Sequence, residues 1–579
     1  MSPRLDMPRA TRVSAALLAA ATLGLAMAAP AGAVESAAGP GHDPATAAQA
    51  LGAPPALPAT PAADAGPIAP RHAQAERGLG RAYTGTPIDV TTYHYDNFRT
   101  GWNPAETDLT PATVGGGGFG LLKTLTVDGS VFAEPLLVSG FQFPSGETRD
   151  VLLVATSHNS VYAFDAQTYK PIWQVNLGTS QATTRVGCFD VHPEYGVMAT
   201  PVIDRTAADK ATVYLVSATE PTANDFHTHL HALDLATGAD LKPPVEIDPS
   251  TTLSDGSTMQ FDAKNQWARA GLALTPNGIY IAIGSHCDQN AGHITGWMLR
   301  YSTGLKPQGA FNTIETPAGL ELASFWSSGF APAVDTDGSI FAITGNGNFS
   351  KGGKDWGESV LRLPANVKKV QDYFTPAAYQ SLNNADLDFA SGGVMLLPVQ
   401  NGQVAPPLAV AMGKDAVLYL LDRTNLGKMR PADKGALLAK RLANGGSGVW
   451  GGPASYTGPS GQVVFYQLNG GPMRAFAVDT GANPTLTQFA QGTTTSGQGG
   501  STPIVSSNGS TAGTAVVWTL RRSNPMTLEA YDAATLGAPI FSAAAGSWTA
   551  GRPFQTPMQA NGRVYVPGSG TVTVFGLTN

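Results

Sequence analysis

Residues 151–173 read VLLVATSHNSVYAFDAQTYKPIW, and residues 408–429 read LAVAMGKDAVLYLLDRTNLGKM. Each is an apolar run, a short polar turn, and a second apolar run with Tyr three residues before Asp (Tyr162 and Asp165; Tyr419 and Asp422). Period-2 alternation with β-branched and aromatic residues marks the runs as strands. The second run recurs as LHALD (230–234), AFAVD (475–479) and LEAYD (528–532), and without the Asp as MLRYS (298–302), VLRLP (360–364) and VTVFG (572–576). Ahead of each copy, a small or polar residue before Pro or Gly opens another strand, as in ATPVID (199–204), SGGVMLL (391–397) and STPIV (501–505). The two series alternate, and every unit reads as four strands, here called A to D. One such sheet cannot bury both faces alone; eight packed radially can, and a ring leaves no long exposed edge.

The expected fold is therefore all-β, an eight-bladed propeller of four-stranded antiparallel blades over residues 83–579. The last unit stops after its third strand, and FGLLKTLTV (119–127) has no earlier partner, so this N-terminal strand is expected to close the last blade. Antiparallel order places the D–A connections and B–C loops together on one face. The segment YHYDNFRTGWN (93–103) lies outside the repeat and is expected to clamp the closure rather than cover the channel.

Composition agrees. Charged residues make up 13% of the chain, with 67 Gly and 43 Pro. Ordinary domains carry about 25% charged residues, and Gly and Pro serve tight turns. A net charge of −7 without a basic patch argues against a nucleic-acid partner. Residues 1–33 have an Arg-bearing start, an apolar core and a small-residue AGA site, the pattern of a cleaved signal peptide for export to the periplasm or exterior. Residues 34–82, rich in Ala, Pro and Gly, read as a disordered linker. No later stretch reaches the roughly 20 apolar residues of a membrane span. The two cysteines of this exported chain, Cys188 and Cys287, are expected to pair. The strand scheme puts both on the loop face of neighbouring blades, where a bond would stabilise by about 3–5 kcal/mol.

VYAFDAQT, LHALDLATG and LYLLDRTNLGK resemble the repeats of the pyrroloquinoline quinone (PQQ) type propellers, which include quinoprotein alcohol dehydrogenases and non-catalytic relatives. Longer stretches, including PEYGVMATPVID (193–204), SHCDQNAGHITGWML (285–299) and LDFASGGVMLLP (387–398), resemble a group of secreted bacterial PQQ-like propeller proteins. The resemblance implies that Lys414, in GKDAVLYLLDR, contacts the ortho-quinone oxygens of PQQ, where a cation stabilises developing negative charge. It also implies a Ca²⁺ site of oxygen ligands, to which TGNGN (344–348) offers Asn346 or Asn348. Two features depart from the dehydrogenases: a vicinal Cys pair and a C-x-x-C-H haem site are both missing.

Other loop-face residues carry chemistry of their own. His192, Glu194, His286, Asp288 and His293 gather near the cysteines without the spacing of a zinc site and suit proton transfer or a transition metal. Arg269, Arg521 and Arg522 suit a carboxylate-bearing ligand. Trp267, Trp326, Trp356 and Trp450 suit stacking on a flat ligand or sugar. Structural roles compete in each case: ion pairing for the arginines, blade packing for the tryptophans, and a solvated turn for Lys414. Three functions stay open. The leading one is an exported binding or scaffold propeller whose partner is a small molecule, a carbohydrate or a protein. The alternatives are a PQQ- and Ca²⁺-dependent alcohol or sugar dehydrogenase, and a secreted carbohydrate-active lyase or hydrolase.

Overall fold

The computed structural model describes residues 75–578 other than 290–291, 318–321, 443–446, 524 and 548–553. The expected signal peptide, and the linker up to residue 74, lie outside the described residues.

The repeat units fold as antiparallel sheets in chain order. The first joins Leu136–Gln142, Thr148–Ala155, Ser160–Asp165 and Pro171–Asn176; the second joins Val202–Ala207, Lys210–Thr219, His227–Asp234 and Val245–Glu246. Four-strand sets follow over 273–312, 333–374, 394–441, 454–495 and 504–544. Their shared faces are filled by the apolar residues of the repeats, such as Val161, Ala163, Leu418 and Leu420, all fully buried. The result is an all-β fold of successive four-stranded antiparallel sheets, the arrangement of a β-propeller.

Closure is as expected. The final strand, Ser569–Leu577, pairs antiparallel with Phe119–Ser130, with Leu121 opposite Phe575. Chain order within this sheet ends Met558–Ala560, Arg563–Pro567, Ser569–Leu577, and the N-terminal strand takes the outer place. Residues 76–81, read from the sequence as the tail of the linker, run along that strand. Arg77 and Gly78 donate to the carbonyls of Leu121 and Leu122, and Arg81 donates to that of Leu577.

The segment 90–103 does more than clamp the closure. An innermost strand has an unpaired edge of N–H and C=O groups, and buried backbone groups need partners. This segment supplies them sheet by sheet. Val90 exchanges hydrogen bonds with Leu137, and the carbonyls of Thr91, Asn97, Phe98, Thr100 and Gly101 accept from Ile203, Val334, Leu396, Ser455 and Val505 in turn. The Asn97 side chain donates to Leu274 O (3.1 Å), and the Tyr95 hydroxyl donates to Gln559 O (2.9 Å). Among the described residues, the backbone of this one short segment thus meets the first, second, fourth, fifth, sixth and seventh repeat sheets in chain order, while the Asn97 side chain reaches the third and the Tyr95 hydroxyl the last. Arg99, fully buried, locks it by donating to Pro332 O, Tyr93 O, Asp96 O and the Thr92 hydroxyl.

Phe330 packs against this segment, 5.3 Å from the Tyr93 ring and 5.2 Å from His94. A Cβ at Gly393 or at Gly452 would come within 2.0 Å of the Phe330 ring. That explains why SGGVMLL and GGPAS open their A strands with glycine: the entries converge on one aromatic ring.

Candidate functional site

Lys414 sits in the turn between Leu408–Ala411 and Val417–Asp422. It is buried, contrary to the solvated-turn reading. Its ammonium lies 2.5 Å from Asp388 Oδ2, donates to Asp386 Oδ1 at 3.1 Å, and donates to the Asp386 carbonyl at 3.0 Å. An ammonium has three N–H donors, so these partners account for all of them. The nitrogen also stands 5.8 Å from the centre of the Trp326 ring.

Asp386 and Asp388 belong to the connection that carries the chain from the sheet 333–374 to the sheet 394–441. A short helix, Tyr379–Asn384, turns the chain inward, and Asp386 follows with a left-handed φ of 52°. The next sheet's turn clamps the loop, because Lys414 N donates to Asp388 O. From the other side, Asn346 donates its backbone N–H to Asp388 Oδ1 (2.9 Å) and its side-chain amide to Asp386 Oδ1 (2.7 Å). The Asn346 Oδ1 is buried without a hydrogen-bond partner among the described residues. Asp288 completes the group: one carboxylate oxygen each from Asp288, Asp386 and Asp388 lies within 4.8 Å of the others.

A disulfide positions Asp288. Cys188 and Cys287 are bonded, with Cα atoms 5.6 Å apart, linking the connection after the first sheet to a loop of the third. Cys287 and Asp288 both take left-handed φ values (51° and 49°), which turns the chain sharply beneath the bond. The wall of the resulting cavity is made by Trp267, Trp326 and Trp450 with Cys287, Asp190 and Phe554, and the cavity encloses about 60 Å³.

Charge is crowded here. Burial alone would lower the Lys414 pKa, but Asp388 and Asp386 together outweigh it and hold the ammonium above its ordinary value. Burial, and then the charge of Asp388, push Asp288 up to about 7. The same two causes raise Asp386 and carry Glu358 well above the usual carboxylate range. Glu358 Oε2 accepts from Phe389 N at 2.6 Å, while its Oε1 is buried without a partner. The arrangement is a half-buried nest of carboxylates with one counter-cation, short of positive charge.

Of the residues singled out from the sequence, the structure brings Lys414, Asn346, Trp326 and Asp288 together, along with the cysteine pair, Trp267 and Trp450. The others do not line the cavity. Arg521 pairs with Glu529 at 2.9 Å. Arg269 is buried over the ring of Phe132 (5.7 Å), and the partly exposed Arg522 stands behind the wall, over the Phe554 ring (4.8 Å) and 3.4 Å from Trp450 O. Trp356 packs against Tyr373 within a sheet-to-sheet core. His286 is enclosed, stacked on Trp267 at 4.8 Å with neither ring nitrogen hydrogen-bonded, and burial presses its pKa down to about 3. His192 lies 3.2 Å from the Thr183 hydroxyl. Glu194 lies 3.0 Å from His158. His293 lines a separate cleft. The five-residue His and carboxylate group expected from sequence is therefore dispersed, and only Asp288 reaches the cavity.

Asp386, Asp388, Asp190 and Glu358 were missed. A signal for two of them was present: acids at i and i+2 in a D–A connection, directly before the blade that carries Lys414.

No protein-family model matches the chain, and no curated protein matches it in sequence. Solved structures do match in fold. The quinohemoprotein alcohol dehydrogenase of Comamonas testosteroni superposes with a TM-score of 0.52 at 16% identity, over 84% of this chain and 80% of that one. The quinohemoprotein alcohol dehydrogenase ADHIIG of Pseudomonas putida HK5 gives 0.55 at 14% identity, over the same shares. A europium-containing methanol dehydrogenase gives 0.55 at 12% identity, over 85% of this chain and 98% of that one. At these identities the likeness is one of fold: the chain is built as a PQQ-type β-propeller.

Proposed function

We propose that this chain is an exported, eight-bladed PQQ-type propeller that acts as a binding protein, holding a hard cation and a small oxygen-rich ligand at its mouth. The observation that carries the reading is the convergence of Asp288, Asp386 and Asp388 within 4.8 Å of one another beside a wall of tryptophans. Clustered carboxylate and amide oxygens are the ligand set of Ca²⁺-like ions. The unpartnered Asn346 Oδ1 adds a further oxygen to that set. Bound cation would relieve the repulsion that raises Asp288 and Asp386. The cavity of about 60 Å³ would admit the ion and one hydroxyl of an alcohol or sugar whose body stays outside, against the rim of the Trp wall.

A quinone cofactor fits this site less well. The flat Trp326 ring and Lys414 suit PQQ, and they favour the quinoprotein dehydrogenase as the second reading. Two observations weigh against it. Every Lys414 N–H has a protein partner. The cavity of about 60 Å³ is far below the roughly 300–1,000 Å³ of pockets that enclose small-molecule ligands.

The test is to mix purified protein with Ca²⁺ and micromolar PQQ, and separately with Ca²⁺ and a panel of alcohols and sugars. The binding reading predicts Ca²⁺-dependent thermal shifts with members of the panel, no bound-quinone spectrum and no dye reduction. A stoichiometric quinone spectrum with alcohol-dependent dye reduction would replace it with the dehydrogenase. Cleavage of a polysaccharide without added cofactor would replace it with a lyase or hydrolase.

A further inference from the structure

The second sheet carries a histidine cluster that the mouth site does not use. Its third strand, His227–Asp234, reads HTHLHALD. Alternate residues of a strand share a face, so His227, His229 and His231 line up along one side. His227 stacks on His229 with ring centroids 5.8 Å apart, and His229 meets His231 edge-on at 6.4 Å. His231 is spoken for, 3.0 Å from the Ser217 hydroxyl and 3.2 Å from Asp240. The first two are arranged differently. The outer strand Val245–Glu246 places Glu246 directly opposite His229. One nitrogen each from His227 and His229 and one oxygen of Glu246 all lie within 4.8 Å of one another.

We infer that His227, His229 and Glu246 form a binding site for a borderline divalent cation of the Zn²⁺ class. The set of two imidazoles and a carboxylate suits such ions. His227 has the companion that metal-bound histidines need. Its Nε2 faces Asp225 Oδ1 at 2.9 Å while its Nδ1 faces Glu246 at 2.6 Å. A carboxylate on the far nitrogen fixes the tautomer that leaves the near nitrogen's lone pair for the ion. Ion pairing of His227 alone would leave His229 unexplained, because its ring makes no hydrogen bond among the described residues. His227 Nδ1 and Glu246 stand 2.6 Å apart and the three ligand atoms lie within 4.8 Å of one another, a span that brackets the roughly 3.3 Å ligand spacing implied by bonds of 2.0–2.1 Å. Side-chain rotations of His229 and of the exposed Glu246 would reach that spacing without moving backbone.

Asp225 and Glu246 also line a cleft of about 840 Å³ with Asp248, Asp262, Lys264 and His293. An ion held here would be reachable from that cleft, on a different part of the molecule from Lys414.

The experiment is calorimetric titration of the chelator-treated full chain with Zn²⁺ alone. One site of micromolar or tighter affinity is expected. His229→Gln and Glu246→Gln should each weaken it at least tenfold, and His227→Asn with His229→Gln together should abolish it. Glu147→Gln, an exposed carboxylate of the first sheet, should leave it unchanged. All variants change exposed or partly exposed side chains, and circular dichroism with melting temperature checks their folding. Equal affinity in the His227→Asn/His229→Gln variant, loss of binding in Glu147→Gln, or wild-type binding only at millimolar Zn²⁺ would overturn the inference.

Discussion

The turns at 155–160 and 411–417 have the same backbone and opposite chemistry. Both join the second and third strands of a sheet, and both put a non-glycine residue in the left-handed region at the same place, Asn159 with φ 57° and Ala416 with φ 59°. Two positions earlier stand Ser157 and Lys414. Ser157 closes the ring: its hydroxyl accepts from Ser130 N at 3.0 Å, and its N–H donates to Ser130 O at 2.8 Å, at the end of the closing strand. Lys414 instead reaches into the mouth and gathers Asp386 and Asp388. A repeat holds the turn geometry constant and leaves the side chain at its tip free. One sheet spends that position on joining the ends of the chain, and another on gathering buried carboxylates.

Breaking the Lys414 turn should have the largest effect. Lys414→Ala strands two buried carboxylates, a change that typically costs about 3–5 kcal/mol, whereas Ser157→Ala removes one neutral hydrogen bond and should cost about 1 kcal/mol. Denaturation midpoints of the two variants check the contrast; equal losses would show that Lys414 is not holding the acids. Cys188→Ser with Cys287→Ser should cost a comparable 3–5 kcal/mol, since the bond closes a loop with a sequence separation of 99. That double variant should also lose Ca²⁺ response at the mouth, because Asp288 rests on the bond.

A pH series sharpens the picture of the buried histidines, His94 against Phe330 and His286 against Trp267. Burial holds His94 and His286 down to about 3, against about 6.5 in an unfolded chain. Their contribution to stability is therefore full above pH 6.5 and is lost progressively as pH falls toward 3. His286→Phe keeps the stacking on Trp267 and removes one of these terms, so the fall in melting temperature between pH 6.5 and 4 should be shallower than in the wild type. An unchanged slope would contradict the enclosed, neutral histidine. The smallest effect concerns the shared backbone. Ala416→Gly removes the left-handed penalty of about 1–2 kcal/mol against about 0.5–1 kcal/mol of chain entropy, so the denaturation midpoint should move by no more than about 1 kcal/mol.

The blade pattern was legible because it is local and repeated: VYAFD and LYLLD fall on third strands at Ser160–Asp165 and Val417–Asp422. The closing strand followed from a missing partner. The site was only half legible. Lys414 and Trp326 could be placed by loop sidedness, but sidedness cannot say which loops fold inward. Asp386 and Asp388 reach the mouth because a short helix and a left-handed residue turn their connection toward the axis, and His192 and His293 share the face without reaching the cavity. The segment 90–103 defied reading for a different reason. Its partners are spread over the whole chain, about one per sheet, so no stretch of sequence contains its pattern.

The most direct test of the mouth as a cation site is calorimetric titration of Ca²⁺ into the wild-type chain and into Lys414→Ala, Asp386→Asn and Asp388→Asn. The expected result is one Ca²⁺ site in the wild type, tightened in Lys414→Ala where the competing ammonium is gone, and weakened at least tenfold in either Asn variant. Wild-type affinity retained by both Asn variants would contradict a carboxylate-held cation at this position.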